Sequence, residues 1–230
     1  MNEKCWLKDN CNQRDCDTFC MRYYKLNILY DNALVPLNKR THMKLRVDDD
    51  GSDIEAFTTL KSIEDNIVEF ISNGKNLFLY SNNVGNGKTS WTLRMIESYF
   101  NKIWHKCDLT TKVLFISVPR FLLELKSNIS KESEYIKHIQ ENILDCDLVV
   151  WDDIATKLGT EFELSHLLSI IDTRINNGKS NMYTSNLYSV ELSKALGDRL
   201  YSRIVNYSDA IIELKGRDKR GIKDDTTTNS

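Results

Sequence analysis

Asn82-Asn83-Val84-Gly85-Asn86-Gly87-Lys88-Thr89 decides how the rest of the chain is read. The stretch satisfies G-x-x-x-x-G-K-[ST] at every constrained position except the first, where Asn82 stands for glycine. This pattern turns backbone N–H groups inward around a phosphate, so Gly85 and Gly87 supply conformations that side-chained residues disfavour. Asn83, Val84 and Asn86 complete the loop, Lys88 brings a point charge to the phosphate oxygens, and Ser90, in the first turn of the next helix, is also assigned to the nucleotide. Thr89 offers a hydroxyl to Mg²⁺, and the helix N-terminus faces the anion. Asparagine tolerates left-handed backbone, so Asn82 is expected to replace the missing glycine conformationally.

On either side of the loop, short apolar runs alternate with helical patterns. Leu60, Ile63, Ile67, Phe70 and Ile71 recur at helical spacing and end at Asn73-Gly74. The run Asn76–Tyr80 enters the phosphate loop as a strand, and a helix follows from Thr89 to Trp104. Residues 112–118 form a strand, Pro119 opens a helix, and Tyr135, Ile136, Ile139 and Ile143 mark another. The remaining strands are Asp147–Trp151, 180–185 and 210–214, with helices over 161–176 and 189–206. Five apolar strands separated by helices predict an α/β fold with a parallel sheet covered on both faces.

The strand Leu148-Val149-Val150-Trp151 ends in Asp152-Asp153. A carboxylate at the C-terminal tip of a buried strand is where such sites handle metal and water. Asp152 is assigned to Mg²⁺ with Thr89, and Asp153 to polarising water; an acidic helix cap is the plainer reading of the pair. Asn186, at the tip of Met182-Tyr183-Thr184-Ser185-Asn186, can orient water against a terminal phosphate. Arg199 and Arg203 stand four apart on one helix face and can address a phosphate held by a neighbouring subunit, or simply form surface ion pairs.

Composition narrows the possibilities further. The chain has 230 residues, 41% hydrophobic and 28% charged, enough to bury a real core. Lys and Arg total 31 against 33 Asp and Glu, which excludes a strongly basic nucleic-acid coat protein. No apolar run has the length of a transmembrane helix and no signal pattern opens the chain, so a soluble cytoplasmic protein without a membrane partner is expected.

Four of the six cysteines, Cys5, Cys11, Cys16 and Cys20, crowd the beginning at spacing C-x5-C-x4-C-x3-C. In a reducing compartment such a cluster is read as a structural zinc site, with an iron–sulfur cluster and free thiols as alternatives. A segment this short buries too little to fold alone, which metal would remedy. Residues 1–35 are therefore taken as a cysteine module, 36–57 as a linker that includes Lys39, Arg40, Lys44 and Arg46, 58–220 as the ATPase-type domain, and 221–230 as a tail.

Taken in order, Gly-Asn-Gly-Lys-Thr, Val-Pro-Arg-Phe-Leu-Leu, Val-Val-Trp-Asp-Asp-Ile, Thr-Ser-Asn-Leu and Leu-Gly-Asp-Arg-Leu-Tyr-Ser-Arg-Ile resemble the AAA+ helicase loaders of the bacterial and phage DnaC/DnaI family, over about residues 60–220. The resemblance implies a five-stranded AAA+ core without a helical lid domain. It implies an ATPase that binds a replicative helicase and helps place it on single-stranded DNA, with ATP held between subunits of a homo-oligomer. Asn186 would be the sensor residue, Arg203 the arginine finger and Arg199 its companion. Arg220, in Gly216-Arg217-Asp218-Lys219-Arg220, would also face nucleotide. Lys126, Thr160 and Phe162 would contact single-stranded DNA, against the plainer reading of Phe162 as core. The cysteine module would contact the helicase.

Asp153 departs from the glutamate of many AAA+ proteins, and its shorter reach is expected to slow hydrolysis. The competing readings are an IstB-like transposition regulator acting on duplex DNA, a helicase-sequestering adaptor with vestigial ATPase, and, last, a small-molecule phosphotransferase. Few residues follow Arg203 and no helix-turn-helix pattern is present, which argues against an initiator of the DnaA kind.

Overall fold

The computed structural model describes residues 5–7, 11, 20–40, 45, 51–127, 133–155 and 159–218. Five parallel strands, β1 (Leu77–Tyr80), β2 (Val113–Ser117), β3 (Leu148–Asp152), β4 (Ser180–Ser185) and β5 (Ala210–Glu213), form one sheet in the order β2-β3-β4-β1-β5. The helices are α1 (Met21–Asn32), α2 (Ile54–Asp65), α3 (Ile67–Ser72), α4 (Lys88–Ile103), α5 (Val118–Ser127), α6 (Glu134–Asn142), α7 (Glu161–Asn176) and α8 (Ser189–Val205), with a 3₁₀ turn at Leu37–Lys39.

Alternation along the strands divides the core in two. Leu77, Leu79, Val113, Phe115, Leu148, Val150 and Met182 face one side, where α1 to α4 bring Leu26, Leu60, Phe70 and Phe100. Phe78, Leu114, Ile116, Val149, Trp151 and Tyr183 face the other, where α5 to α8 bring Phe121, Ile139, Ile171 and Leu200. Side chains on successive strand residues point to opposite faces, so five apolar runs build both layers at once. Because β4 lies between β1 and β3, the loops leaving β1 and β3 open on either side of it. That is the switch point at which parallel sheets bind ligands.

Four sequence-based expectations are revised. Residues 21–40 do not form a core of their own: Leu26, Leu29, Tyr30, Ala33 and Val35 share the α1–α4 layer, and Phe115 N–H donates to Ala33 O at 2.8 Å on the β2 edge. The α2 helix begins at Ile54, inside the expected linker, where the buried Asp53 carboxylate holds the segment after β5, accepting from Lys215 and Gly216 N–H at 2.7 and 2.9 Å. The helix expected to run to Asn73 is broken at Asn66, whose φ of −110° separates α2 from α3. Gly197, at φ 74° and ψ 155°, kinks α8, so Arg199 and Arg203 sit on its second half.

Candidate phosphate and metal site

Gly85 and Gly87 take φ of 75° and 105°, the left-handed backbone that the phosphate loop was expected to need. Asn82 is not in that region, so the stand-in argument for it is corrected: position 82 requires no glycine conformation. A pocket of about 420 Å³ is lined by Val84, Gly85, Asn86, Gly87, Lys88, Thr89 and Ser90 of the loop and α4, by Leu93, by Asp153 and Asn186 at the tips of β3 and β4, and by Lys39. Lys88 Nζ donates to Asn83 O at 3.0 Å and to Asn86 Oδ1 at 3.2 Å. The ammonium is thus pinned over the loop.

Beneath the pocket, Asp152 is buried, and one of its oxygens, Oδ1, accepts from two hydroxyls: Thr89 Oγ1 at 2.9 Å and Thr184 Oγ1 at 2.8 Å. Thr184 Oγ1 also accepts from Asp153 N–H at 2.8 Å, which fixes Asp153 at a left-handed φ of 58°. Burial, and then the neighbouring Asp153, push the Asp152 carboxyl above the usual carboxylate range, while the two hydroxyls and Lys39 pull the other way. A buried carboxylate destabilised in this way, with a threonine hydroxyl against it, is a suitable donor pair for a hard divalent cation. The residues therefore fit Mg²⁺, which Thr89 and Asp152 would hold.

The loop asparagines do something the motif does not announce. Asn83 Nδ2 donates to Lys215 O and Gly216 O at 3.2 and 3.3 Å, and Asn86 Nδ2 to Leu214 O at 2.8 Å and to Ser81 Oγ. Asn83 and Asn86 thereby stitch the chain after β5 to the phosphate loop. Arg220, expected near the nucleotide, lies outside the described residues.

Arg199 and Arg203 do not line this pocket. With Leu168, Asp172, Asp198 and Ser202 they line a separate cleft of about 550 Å³. Arg203 Nε pairs with Asp172 Oδ1 at 2.6 Å, and its guanidinium lies 4.9 Å from the Tyr207 ring centre.

The three residues singled out for DNA meet around Glu163. Thr160 caps α7 in a capping box with Glu163, and Lys126 pairs with Glu163 Oε1 at 3.1 Å. Phe162 is 56% exposed, so the core reading of it is overturned. Its ring stacks on His166, which in turn stacks on Phe121. Burial lowers the His166 pKa, which favours an uncharged ring between the two aromatic faces.

Zinc has no site among the described residues, where no three His, Cys, Asp or Glu form a metal-ligating group. Cys5 is buried, and Cys20 Sγ accepts from Tyr23 N–H to cap α1. Cys11 is partly exposed and Cys16 lies outside the described residues. No described helix is long and apolar enough to cross a membrane.

Two residues of this site were missed by sequence reading. Thr184 lies in the Thr-Ser-Asn-Leu motif with no role read from it, although a hydroxyl on the strand beside Asp152 is a readable signal. Lys39 falls in the expected linker, and nothing local distinguishes it from Lys44 or Arg46.

Residues 55–207 match the family described as the bacterial DnaA ATPase domain. Among solved structures, the DnaC helicase loader superposes with a TM-score of 0.58 at 19% identity, covering 71% of this chain and 90% of that one. DnaI gives 0.58 at 21% identity, covering 79% and 95%. AMPPCP-bound DnaA from Aquifex aeolicus gives 0.56 at 20% identity over 71% of this chain, which spans 46% of that one. At these identities the likeness is one of fold. No curated protein matches by sequence.

Proposed function

The chain belongs to the bacterial DnaA ATPase domain family, and on that premise we propose that it is an ATP-controlled helicase loader in DNA replication. The observation that carries the ATPase part is the Thr89–Asp152–Thr184 arrangement under a loop of left-handed glycines. The loader part is supported by the motif order from Gly85 to Arg203, and by a fold likeness that covers nearly the whole of DnaC and DnaI.

In this reading the N–H groups of residues 85–89 and the start of α4 bind the phosphate chain, and Lys88 leaves its loop oxygens for the phosphate oxygens. Bound Mg²⁺ would neutralise phosphate charge and polarise the phosphorus. Asp152 and Thr89 hold it. Asp153 and Asn186 orient the attacking water, and the short reach of Asp153 keeps turnover slow. Arg203 gives up Asp172 and serves the terminal phosphate of a neighbouring subunit, with Arg199 beside it, so that ATP orders the homo-oligomer and hydrolysis releases it. Phe162, backed by His166, offers a face on which a base of single-stranded DNA stacks, and Lys126 exchanges Glu163 for a DNA phosphate. The partner is a replicative helicase.

A mixing experiment tests the shared site. Lys88→Ala and Arg203→Ala are each expected to be inactive alone, and their mixture to regain turnover, because some interfaces then pair an intact loop with an intact arginine. A mixture as inactive as its parts refutes the action in trans. Capture of a hexameric replicative helicase that responds to ATP supports the loader role; no capture in either nucleotide state removes it.

A further inference from the structure

Lys39 is the feature of the pocket that neither the motif order nor the family match accounts for. It lies before the matched residues 55–207, yet lines the same pocket as Gly87, Lys88, Thr89, Asp153 and Asn186. We propose that Lys39 is a phosphate ligand donated by the N-terminal segment, selective for a triphosphate, and that it ties the docking of α1 to the nucleotide. The inference rests on the ATP reading above and extends it.

Rigidity is the first support. The 3₁₀ turn Leu37–Lys39 is closed by Lys39 N–H donating to Pro36 O at 2.9 Å and Arg40 N–H to Leu37 O at 3.2 Å. Arg40 next to it is buried: its Nε donates to Val35 O at 3.0 Å, its guanidinium pairs with Asp31 and lies 5.7 Å from the Tyr30 ring centre. Both of those partners belong to α1, so the turn moves only if α1 moves. A ligand on Lys39 therefore acts on the helix behind it.

Charge is the second. Lys39 Nζ lies 5.3 Å from the centre of the Phe115 ring and makes no ion pair among the described residues. An ammonium resting on an aromatic face gains little at an exposed site, far less than a phosphate offers. Position in the sheet gives the third. Phe115 is on β2, beside β3, so Lys39 comes from the side of Asp152 and Asp153, whereas the phosphate loop leaves β1 on the other side of β4. A cation on the carboxylate side meets the phosphate farthest from the loop, which a diphosphate lacks.

The test uses the full chain with Mg²⁺ and calorimetric titration of AMPPCP and of ADP. For Lys39→Met, which keeps the apolar stem, AMPPCP affinity should fall about 10-fold and ADP affinity less than about 2-fold. Lys39→Arg should recover most of the loss. Hydrogen exchange across Met21–Asn32 should slow with AMPPCP in the wild type and not in Lys39→Met. Unchanged affinities, or equal losses for both nucleotides, overturn the proposal, the latter as general damage to the fold. Lys88→Ala separates the two levels: a folded wild type that binds no nucleotide defeats the ATP reading itself, whereas binding that Lys88→Ala abolishes and Lys39→Met leaves intact defeats only the role of Lys39.

Discussion

Asp152→Asn should make the nucleotide-free protein more stable while removing its catalytic activity. Both hydroxyls that reach Asp152, from Thr89 and Thr184, donate to the same oxygen, Oδ1. An asparagine can keep its carbonyl oxygen there and present an amide where Oδ2 was, so no hydrogen bond is lost. What disappears is a buried negative charge next to Asp153. Burial first, and Asp153 second, raise the Asp152 pKa in the folded state. A carboxyl with a raised folded pKa binds its proton more readily when folded. Its penalty is therefore full above the folded pKa and fades as pH falls toward the unfolded value.

At pH 7.5 the substitution should gain about 0.5–2 kcal/mol, the usual size of a single stabilising change. In a chain of this length each kcal/mol moves Tm by about 2–4 °C. Thermal melts in EDTA from pH 5 to 8 would read this, with the advantage of the asparagine shrinking as pH falls. Turnover of Mg·ATP should drop about 100-fold or more, since metal stabilisation of the transition state amounts to several kcal/mol. A variant less stable than wild type at pH 7.5, or an advantage that grows as pH falls, refutes the electrostatic account. Normal Mg²⁺-dependent turnover refutes the metal role.

Arg174→Met should cost about 3 kcal/mol or more in urea unfolding, because the fully buried guanidinium donates to Asn181 Oδ1 and to the carbonyls of Ile143, Cys146 and Ser180. Arg174→Lys should recover little, since an ammonium cannot span those acceptors as a planar fork does. Gly87→Ala meets no atom within 4 Å, so the fold should survive with a loss of about 1–3 kcal/mol from the left-handed φ. Its affinity for a fluorescent ATP analogue should fall at least about 10-fold as the N–H groups turn, and unchanged affinity would show that the loop does not need that conformation.

Strands β1 to β3 were legible because parallel strands buried on both faces leave apolar runs, and β5 also reads as one; β4 is buried throughout yet has only Met182 and Tyr183 between polar residues. The residues of the phosphate loop and the Asp152 strand tip were legible for a related reason: their spacing is set within one loop or one strand. Most of what failed depended on tertiary packing. Lys39 sits in a stretch without periodicity, and only the docking of residues 33–40 along β2 carries it to the pocket. Phe162 failed for a local reason: it stands two residues before Leu164 and five before Leu167, off their helical face, and in the first turn of α7 its ring stays outside. The start of α2 lies where Asp53 and the chain after β5 meet, more than 160 residues apart in sequence.

The pairings at the site bear on how a nucleotide would act. Lys88 is held by two oxygens of its own loop, Asp152 by two threonine hydroxyls and Arg203 by Asp172. Each charged group must exchange a partner rather than gain one, so the net energy of a phosphate contact is a difference, and far below its gross strength. The exchanges are also not local. Asn86 accepts from Lys88 through Oδ1 while its Nδ2 donates to Leu214 O, so drawing Lys88 away loosens one end of the residue that holds the chain after β5. Freeing Arg203 leaves Asp172 on α7, the helix capped by Thr160 and carrying Phe162. Lys39 differs: among the described residues it makes no ion pair, leaving a ring face and a longer-range attraction to Asp152, and α1 is attached to it. A phosphate chain that recruited Lys88 and Lys39 of its own subunit and Arg203 of the next would therefore reach the chain after β5 and α1 on one side of the interface and α7 on the other, which is what an adaptor that reports its nucleotide to a partner requires.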